Sequence, residues 1–211
     1  RDPRPPGGPR GGLMRRFAIT FDYLCPFARN ASEVVVRALE AGAPYQVEFR
    51  AFSLSQVHLE EGARPVWEAE RPPSGVLALQ WGLAVRDQLP ERFHAAHLAL
   101  FAARHDHGRD LNDPEVLRDA VASAGLDPDE VEKLVMGGHP AGALAADHTW
   151  AVEEHRGFGV PTFVTGGRAV FVRLMQRPAD PQAARSTLDR LIDMVGDWPD
   201  LNEFKATRVP R

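Results

Sequence analysis

The 211-residue sequence predicts an α/β fold interrupted by an all-helical insertion, and three observations predict it. A β-rich run, a helix and a second β-rich run follow one another with short connections between residues 16 and 52. A stretch of helical period fills the middle of the chain, from about Val76 to Arg156. Two short apolar runs joined by a Gly-Gly turn come next, and an amphipathic helix after them.

The first run, "RFAITFDYL" from Arg16 to Leu24, is rich in β-formers and short enough for a buried strand. Cys25-Pro26 then opens a helix, because proline at the first helical position lacks only an N–H that would have had no partner there. Ala31, Val34, Val35, Ala38 and Leu39 recur at helical spacing, and Gly42 in "EAGAP" stops the run. "YQVEFRAF" alternates as a second strand. Strand, helix and strand with short links predict a right-handed βαβ unit with a parallel pair.

In the middle segment, "ERFHAAHLALFAARHD" sets Phe93, Ala96, His97, Leu100 and Phe101 on one face. "NDPEVLRDAVASAG" and "LDPDEVEKLVMGG" begin with Asp-Pro, so Asp113 and Asp127 read as N-caps ahead of Pro114 and Pro128. A further helix is expected from about Gly142 to His155. β-structure resumes in "GVPTFVTGGRAVFV", where Thr165-Gly166-Gly167-Arg168 is a hairpin signal. A helix from about Pro181 to Val195 carries Ala184, Leu188, Leu191, Ile192 and Val195 on one face. The expected divisions are a tail at 1–15, a first α/β half at 16–58, a helical insertion at 59–156, a second half at 157–196 and a tail at 197–211. This order is the thioredoxin plan, a βαβ unit followed by a hairpin and a helix, with a subdomain set between its halves.

Composition narrows the function classes. Apolar residues are 44% and charged residues 26% of the chain, an ordinary globular balance. The net charge is −4, but residues 1–16 hold five arginines against one aspartate, leaving the remainder at −8. A body that acidic is a poor partner for nucleic acid or an anionic membrane. "RDPRPPGGPRGGLMRR" has no apolar period and reads as a disordered tail, an upstream extension or an expression remnant, with Met14 as a natural start. No run approaches the roughly 18 apolar residues of a membrane span, and one cysteine suits a reducing compartment, so a cytoplasmic protein is expected.

That cysteine, Cys25, is the main chemical candidate. A thiol is nucleophilic as a thiolate, and the first turn of a helix offers free N–H groups and a positive dipole end that favour the anion. The competing reading is a small buried hydrophobe. The second candidate is "FGVPTFV", where Val160-Pro161 enters a strand, a setting for a cis peptide or for an edge proline in trans. Asp22, three residues before Cys25, either raises the thiol pKa by like-charge repulsion or simply bonds loop amides.

Among the histidines, His94 and His97, like His105 and His107, lack a metalloprotease spacing, and no second cysteine completes a zinc set, so no metal is expected. His97 reads as a satisfied core histidine, and His148 and His155 as exposed on a solvated helix. Trp67, Trp81 and Trp150 either line a groove or pack in the core.

The combination of Asp-x-x-Cys-Pro at a strand end, a helical insertion, "GVPTFV", a Gly-Gly turn, "AVFV" and a terminal helix resembles the DsbA-like thioredoxin superfamily. Its nearest branches are the FrnE-like proteins and the 2-hydroxychromene-2-carboxylate isomerases, and the resemblance spans roughly Arg16 to Val195. It implies Cys25 at the nucleophile position, Pro161 as the cis-proline facing it and Val160 offering backbone to a substrate. Pro26, Phe27 and Ala28 complete the motif, with the Phe27 and Ala28 N–H groups expected to support a thiolate.

The chain departs from the family at Ala28, which stands where dithiol members carry the resolving cysteine. A second thiol would resolve a mixed disulfide internally at high effective concentration. Without it the expected chemistry is monothiol: Cys25 attacks a disulfide, and glutathione or mycothiol resolves the adduct as cosubstrate, with no bound cofactor. The isomerase relatives and the kappa-class transferases use serine here. The alternatives are a thiol-dependent transferase or isomerase of aromatic small molecules, and a thioredoxin-fold binding protein whose chemistry has lapsed.

Overall fold

The computed structural model describes residues 14–200 and 203; the tails expected at 1–15 and 197–211 lie mostly outside them. Strand β1 (Arg15–Phe21) is followed by helix α1 (Pro26–Glu40) and strand β2 (Tyr45–Ala51). A single turn, α2 (Leu54–Val57), leads into α3 (Val76–Gln88), α4 (Phe93–His105), α5 (Pro114–Ser123), α6 (Pro128–Met136) and α7 (His139–Thr149). Strands β3 (Thr162–Thr165) and β4 (Arg168–Phe171) and helix α8 (Pro181–Asp197) complete the described fold.

The four strands form one sheet in the order β2-β1-β3-β4. β1 and β2 are parallel, from Arg15 opposite Tyr45 to Phe21 opposite Ala51, while β3 runs antiparallel to both β1 and β4. Gly166 and Gly167 have φ of 57° and 78°, the pair of positive values that a two-residue hairpin turn matched to strand twist requires. α1 and α8 pack together beside the sheet. The fold is therefore α/β on the thioredoxin plan with a helical insertion between β2 and β3.

The Asp-Pro starts act as their chemistry dictates. Asp113 accepts from the Glu115 N–H and Asp127 from the Asp129 N–H, each at 3.0 Å. One apolar core runs without a break from Phe17, Ile19 and Phe21 on the sheet to Leu79, Leu83, Leu100 and Leu117 in the insertion. The inserted helices thus share the core of the sheet.

The Arg86 guanidinium and Asp147 carboxylate hold the outer edge of β2. Arg86 donates to the Phe49 carbonyl at 2.8 Å and to Asp147, and Asp147 accepts from the Ala51 N–H at 2.9 Å. Arg50 adds a second cationic contact to that carboxylate at 3.1 Å. Two of the edge groups that a further strand would use, the Phe49 carbonyl and the Ala51 N–H, are occupied by side chains of α3 and α7.

Several expectations need correction. Asp22, Tyr23 and Leu24 are not strand: the Cys25 N–H bonds the Asp22 carbonyl at 3.0 Å, and the Asp22 carboxylate takes the Leu24 N–H, which turns the chain. Arg15, assigned to the tail, is the first residue of β1, and its side chain pairs with Asp193. The last insertion helix starts at His139, because Pro140 at its first turn supports initiation there, and it ends in a π turn over Trp150–Glu154. His148 is not exposed. It is 7% accessible, its Nδ1 accepts the Ser53 N–H at 3.2 Å, and it packs against Phe52 and Trp67. Burial drives it down to about 4, so it is neutral. His155 is half-buried against the ring of Trp150.

Candidate active site

Cys25 is the N-cap residue of α1, with extended backbone and Pro26 at the first helical position. Its sulfur accepts the Ala28 N–H at 3.4 Å and donates to the Val160 carbonyl at 3.4 Å. The Val160–Pro161 bond is cis. The first turn of α1 and the loop entering β3 therefore meet at one sulfur atom, although they are 135 residues apart in sequence.

The electrostatics of that sulfur are a contest. The Ala28 and Phe27 N–H groups and the Arg173 guanidinium favour the thiolate. Burial opposes them, the sulfur-bearing residue being 8% exposed, and the carboxylate of Asp22 adds like-charge repulsion. Burial is the largest effect, so the Cys25 thiol lies above its ordinary value. The thiolate expected from the helix terminus alone is thus outweighed.

The Asp22 carboxylate is held by loop amides. One carboxylate oxygen accepts the Leu24 N–H at 2.8 Å and the other the Leu54 N–H at 2.7 Å, tying the cysteine loop to the start of α2. At 1% exposure its carboxyl is pushed up to about 6 by burial, against the pull of those two donors.

Tyr23 anchors the same loop to the insertion. Its hydroxyl lies 3.0 Å from His97 Nδ1, and His97 Nε2 lies 3.0 Å from the Ser32 hydroxyl of α1. Complete burial holds His97 well below its ordinary value, so the ring is neutral and offers one donor and one acceptor. His105 donates through Nε2 to the Tyr23 carbonyl at 2.9 Å. α4 thereby grips both ends of the residue two places before the cysteine. Gly82 in α3 makes the room: a Cβ there would lie 2.9 Å and 3.0 Å from Cε2 and Cζ of Tyr23, and closer to its hydroxyl.

The structure also gathers residues that the sequence did not single out. Val172 donates its N–H to the Pro161 carbonyl at 3.0 Å, which carries the chain after β4 past the proline loop. The next residue, Arg173, lies with its guanidinium carbon 5.2 Å from the Phe27 ring centroid and 5.4 Å from that of Phe171. Phe158, 71% exposed, also contacts Phe171. Asn30 of α1 donates to the Leu174 carbonyl at 2.8 Å, and Arg177 binds Glu33 and Asp106, so the segment beyond β4 is strapped to α1. Of the tryptophans, Trp81 is core, Trp67 packs against the core and Trp150 lies under Arg50. No group of three His, Cys, Asp or Glu side chains among the described residues is placed to hold a metal ion.

The likeness to known proteins follows this geometry. Residues 18–180 match the DSBA-like thioredoxin domain. The chain is 26% identical over 190 residues to Rv2286c, an uncharacterized protein of Mycobacterium tuberculosis, covering 90% of this chain and 81% of that one. Among solved structures, the probable DsbA oxidoreductase SCO1869 from Streptomyces coelicolor is 19% identical with a TM-score of 0.61, covering 91% of this chain and 93% of that one. The oxidoreductase DsbA from Xylella fastidiosa is also 19% identical, with a TM-score of 0.56 and 85% of each chain covered. These structural likenesses show the fold. The match over 18–180 places this chain in the DSBA-like thioredoxin domain family.

Proposed function

We propose that this protein is a thiol-disulfide oxidoreductase that works as a monothiol, with Cys25 as its nucleophile. The observation that carries the reading is the position of the Cys25 sulfur, at hydrogen-bond distance from both the Ala28 N–H of α1 and the Val160 carbonyl before Pro161. A substrate extended along Val160 would present its own sulfur there. The Cys25 thiolate attacks one sulfur of a disulfide; a Cys25–substrate disulfide forms and the other sulfur leaves as a thiolate that takes up a proton. Ala28 offers no internal resolving group. A glutathione or mycothiol thiolate then attacks the substrate sulfur of the adduct, which frees the Cys25 thiolate and releases a mixed disulfide of substrate and small thiol.

Pro26 and Phe27 follow Cys25 at the start of α1, and Asp22 raises the cost of forming its thiolate. The partner is a small thiol or disulfide; an acidic body disfavours nucleic acid and anionic membranes. No helix among the described residues is long and apolar enough to cross a membrane. An unpaired cysteine fits a reducing compartment, the basis for a cytoplasmic assignment. The test is turnover of a glutathione mixed disulfide by wild type and Cys25→Ser. Turnover should vanish in the variant; equal turnover would refute the reading.

The burial of Cys25 favours one second reading. A thiol held above its ordinary value also suits a transferase or isomerase that binds a small thiol cosubstrate without forming a disulfide to it. Conversion of an electrophilic aromatic with no net redox change would select that reading.

A further inference from the structure

The segment after β4 sets a positive charge within electrostatic reach of the sulfur. Val172 is fixed to the Pro161 carbonyl, and Arg173 follows it, exposed, with its guanidinium against the rings of Phe27 and Phe171. Phe27 is two residues from Cys25. Four residues further on, Arg177 is neutralised by Glu33 and Asp106. Arg173 makes no hydrogen bond or ion pair among the described residues, and yet two aromatic faces hold its side chain in one place. The protein carries a net charge of −4, so a docked anion needs a local cation to offset the general repulsion.

We propose that Arg173 forms an anion-binding subsite beside Cys25, taking the carboxylate of an acidic thiol or disulfide while its sulfur reaches Cys25. The subsite rests on the reading of Cys25 as nucleophile, and it names the substrate class: anionic rather than neutral or cationic sulfur compounds. A guanidinium presents a planar fork of donors suited to a carboxylate, and stacking on Phe27 and Phe171 leaves its N–H edge free to bind one. The same charge lowers the cost of forming the Cys25 thiolate, so recognition and activation come from one side chain.

The test compares two chromogenic disulfides, dianionic 5,5′-dithiobis(2-nitrobenzoate) and neutral 2,2′-dithiodipyridine, on the folded chain. In each, Cys25 displaces one aromatic thiolate and keeps the other half as a mixed disulfide. The readout is the ratio of the two rates, in which any change in thiolate fraction cancels. Arg173→Ala should lower the anionic-to-neutral ratio about fivefold at low salt, Arg173→Glu more, and Arg173→Lys least; added salt should shrink the difference between wild type and Arg173→Ala. An unchanged ratio in Arg173→Ala and Arg173→Glu would overturn the subsite while leaving Cys25 as a nucleophile. No adduct from either probe with folded wild type, although unfolded chain reacts, would overturn the nucleophile reading and the subsite with it.

Discussion

Replacing Gly82 by alanine should destabilise this protein, although the same change in an open helix would stabilise it. Gly82 lies inside α3, where glycine costs about 1 kcal/mol relative to alanine. The new methyl would meet the Tyr23 ring at 2.9 and 3.0 Å and press harder on its hydroxyl. Tyr23 has no exposed surface and its backbone is fixed by His105, so the ring cannot swing into solvent. Overpacking of this kind costs about 1–3 kcal/mol. Pushing the hydroxyl off His97 leaves buried polar atoms without a partner, about 1–3 kcal/mol more. Against a gain of about 1 kcal/mol, the net loss is about 1–5 kcal/mol. Urea unfolding followed by tryptophan fluorescence measures it. In the Tyr23→Phe background the most severe clash is gone, so Gly82→Ala should cost less there than in wild type. A Gly82→Ala protein as stable as wild type, or more so, would refute the claim that this glycine exists to seat Tyr23.

Three further outcomes are expected. Alkylation of Cys25 by iodoacetamide should show its inflection above the ordinary thiol value of about 8.5, and Asp22→Asn should move it down, because a like charge is removed; an inflection below that value in wild type would contradict the dominance of burial. Folding holds Asp22 above its ordinary value, so the native state binds that proton more tightly and its contribution to stability falls as pH rises from about 4 to about 6, by at most about 3 kcal/mol; denaturant melts across that range should show the slope in wild type and lose it in Asp22→Asn. Asp147→Ala should cost about 1–3 kcal/mol, since it leaves the Ala51 N–H at the β2 edge without its acceptor while Arg86 keeps Asp87 and the Phe49 carbonyl, and a midpoint within error of wild type would show that the edge does not need it.

Much of the fold was legible because it is carried by local chemistry. Asp113 and Asp127 followed by proline mark helix starts wherever they occur, and Gly166-Gly167 between apolar runs can serve little besides a tight hairpin. His97 could be read as a core histidine because its neighbours at helical spacing are apolar. The resemblance brought Cys25 and Pro161 into one site, which no spacing could have done across 135 intervening positions. What stayed hidden was set by long-range packing. His148 lies between polar and charged residues in sequence, and only the approach of Ser53 and Phe52 buries it. The Tyr23–His97–Ser32 chain links the cysteine loop, α4 and α1 through single polar atoms, and no local pattern foretells that pairing. Arg173 follows a hairpin as an isolated charge, and its meaning comes from the register that pairs Val172 with Pro161. The thiol pKa escaped for a related reason: a helix start can be read from sequence, whereas burial, which here is stronger, cannot.

The most direct test of the central claim is the intact mass of the folded chain after exposure to oxidised glutathione at mildly alkaline pH, and again after excess reduced glutathione. The account predicts one glutathione adduct per chain, absent from Cys25→Ser and discharged by the reduced thiol. A folded chain that stays unmodified, yet takes the adduct once unfolded, would contradict it.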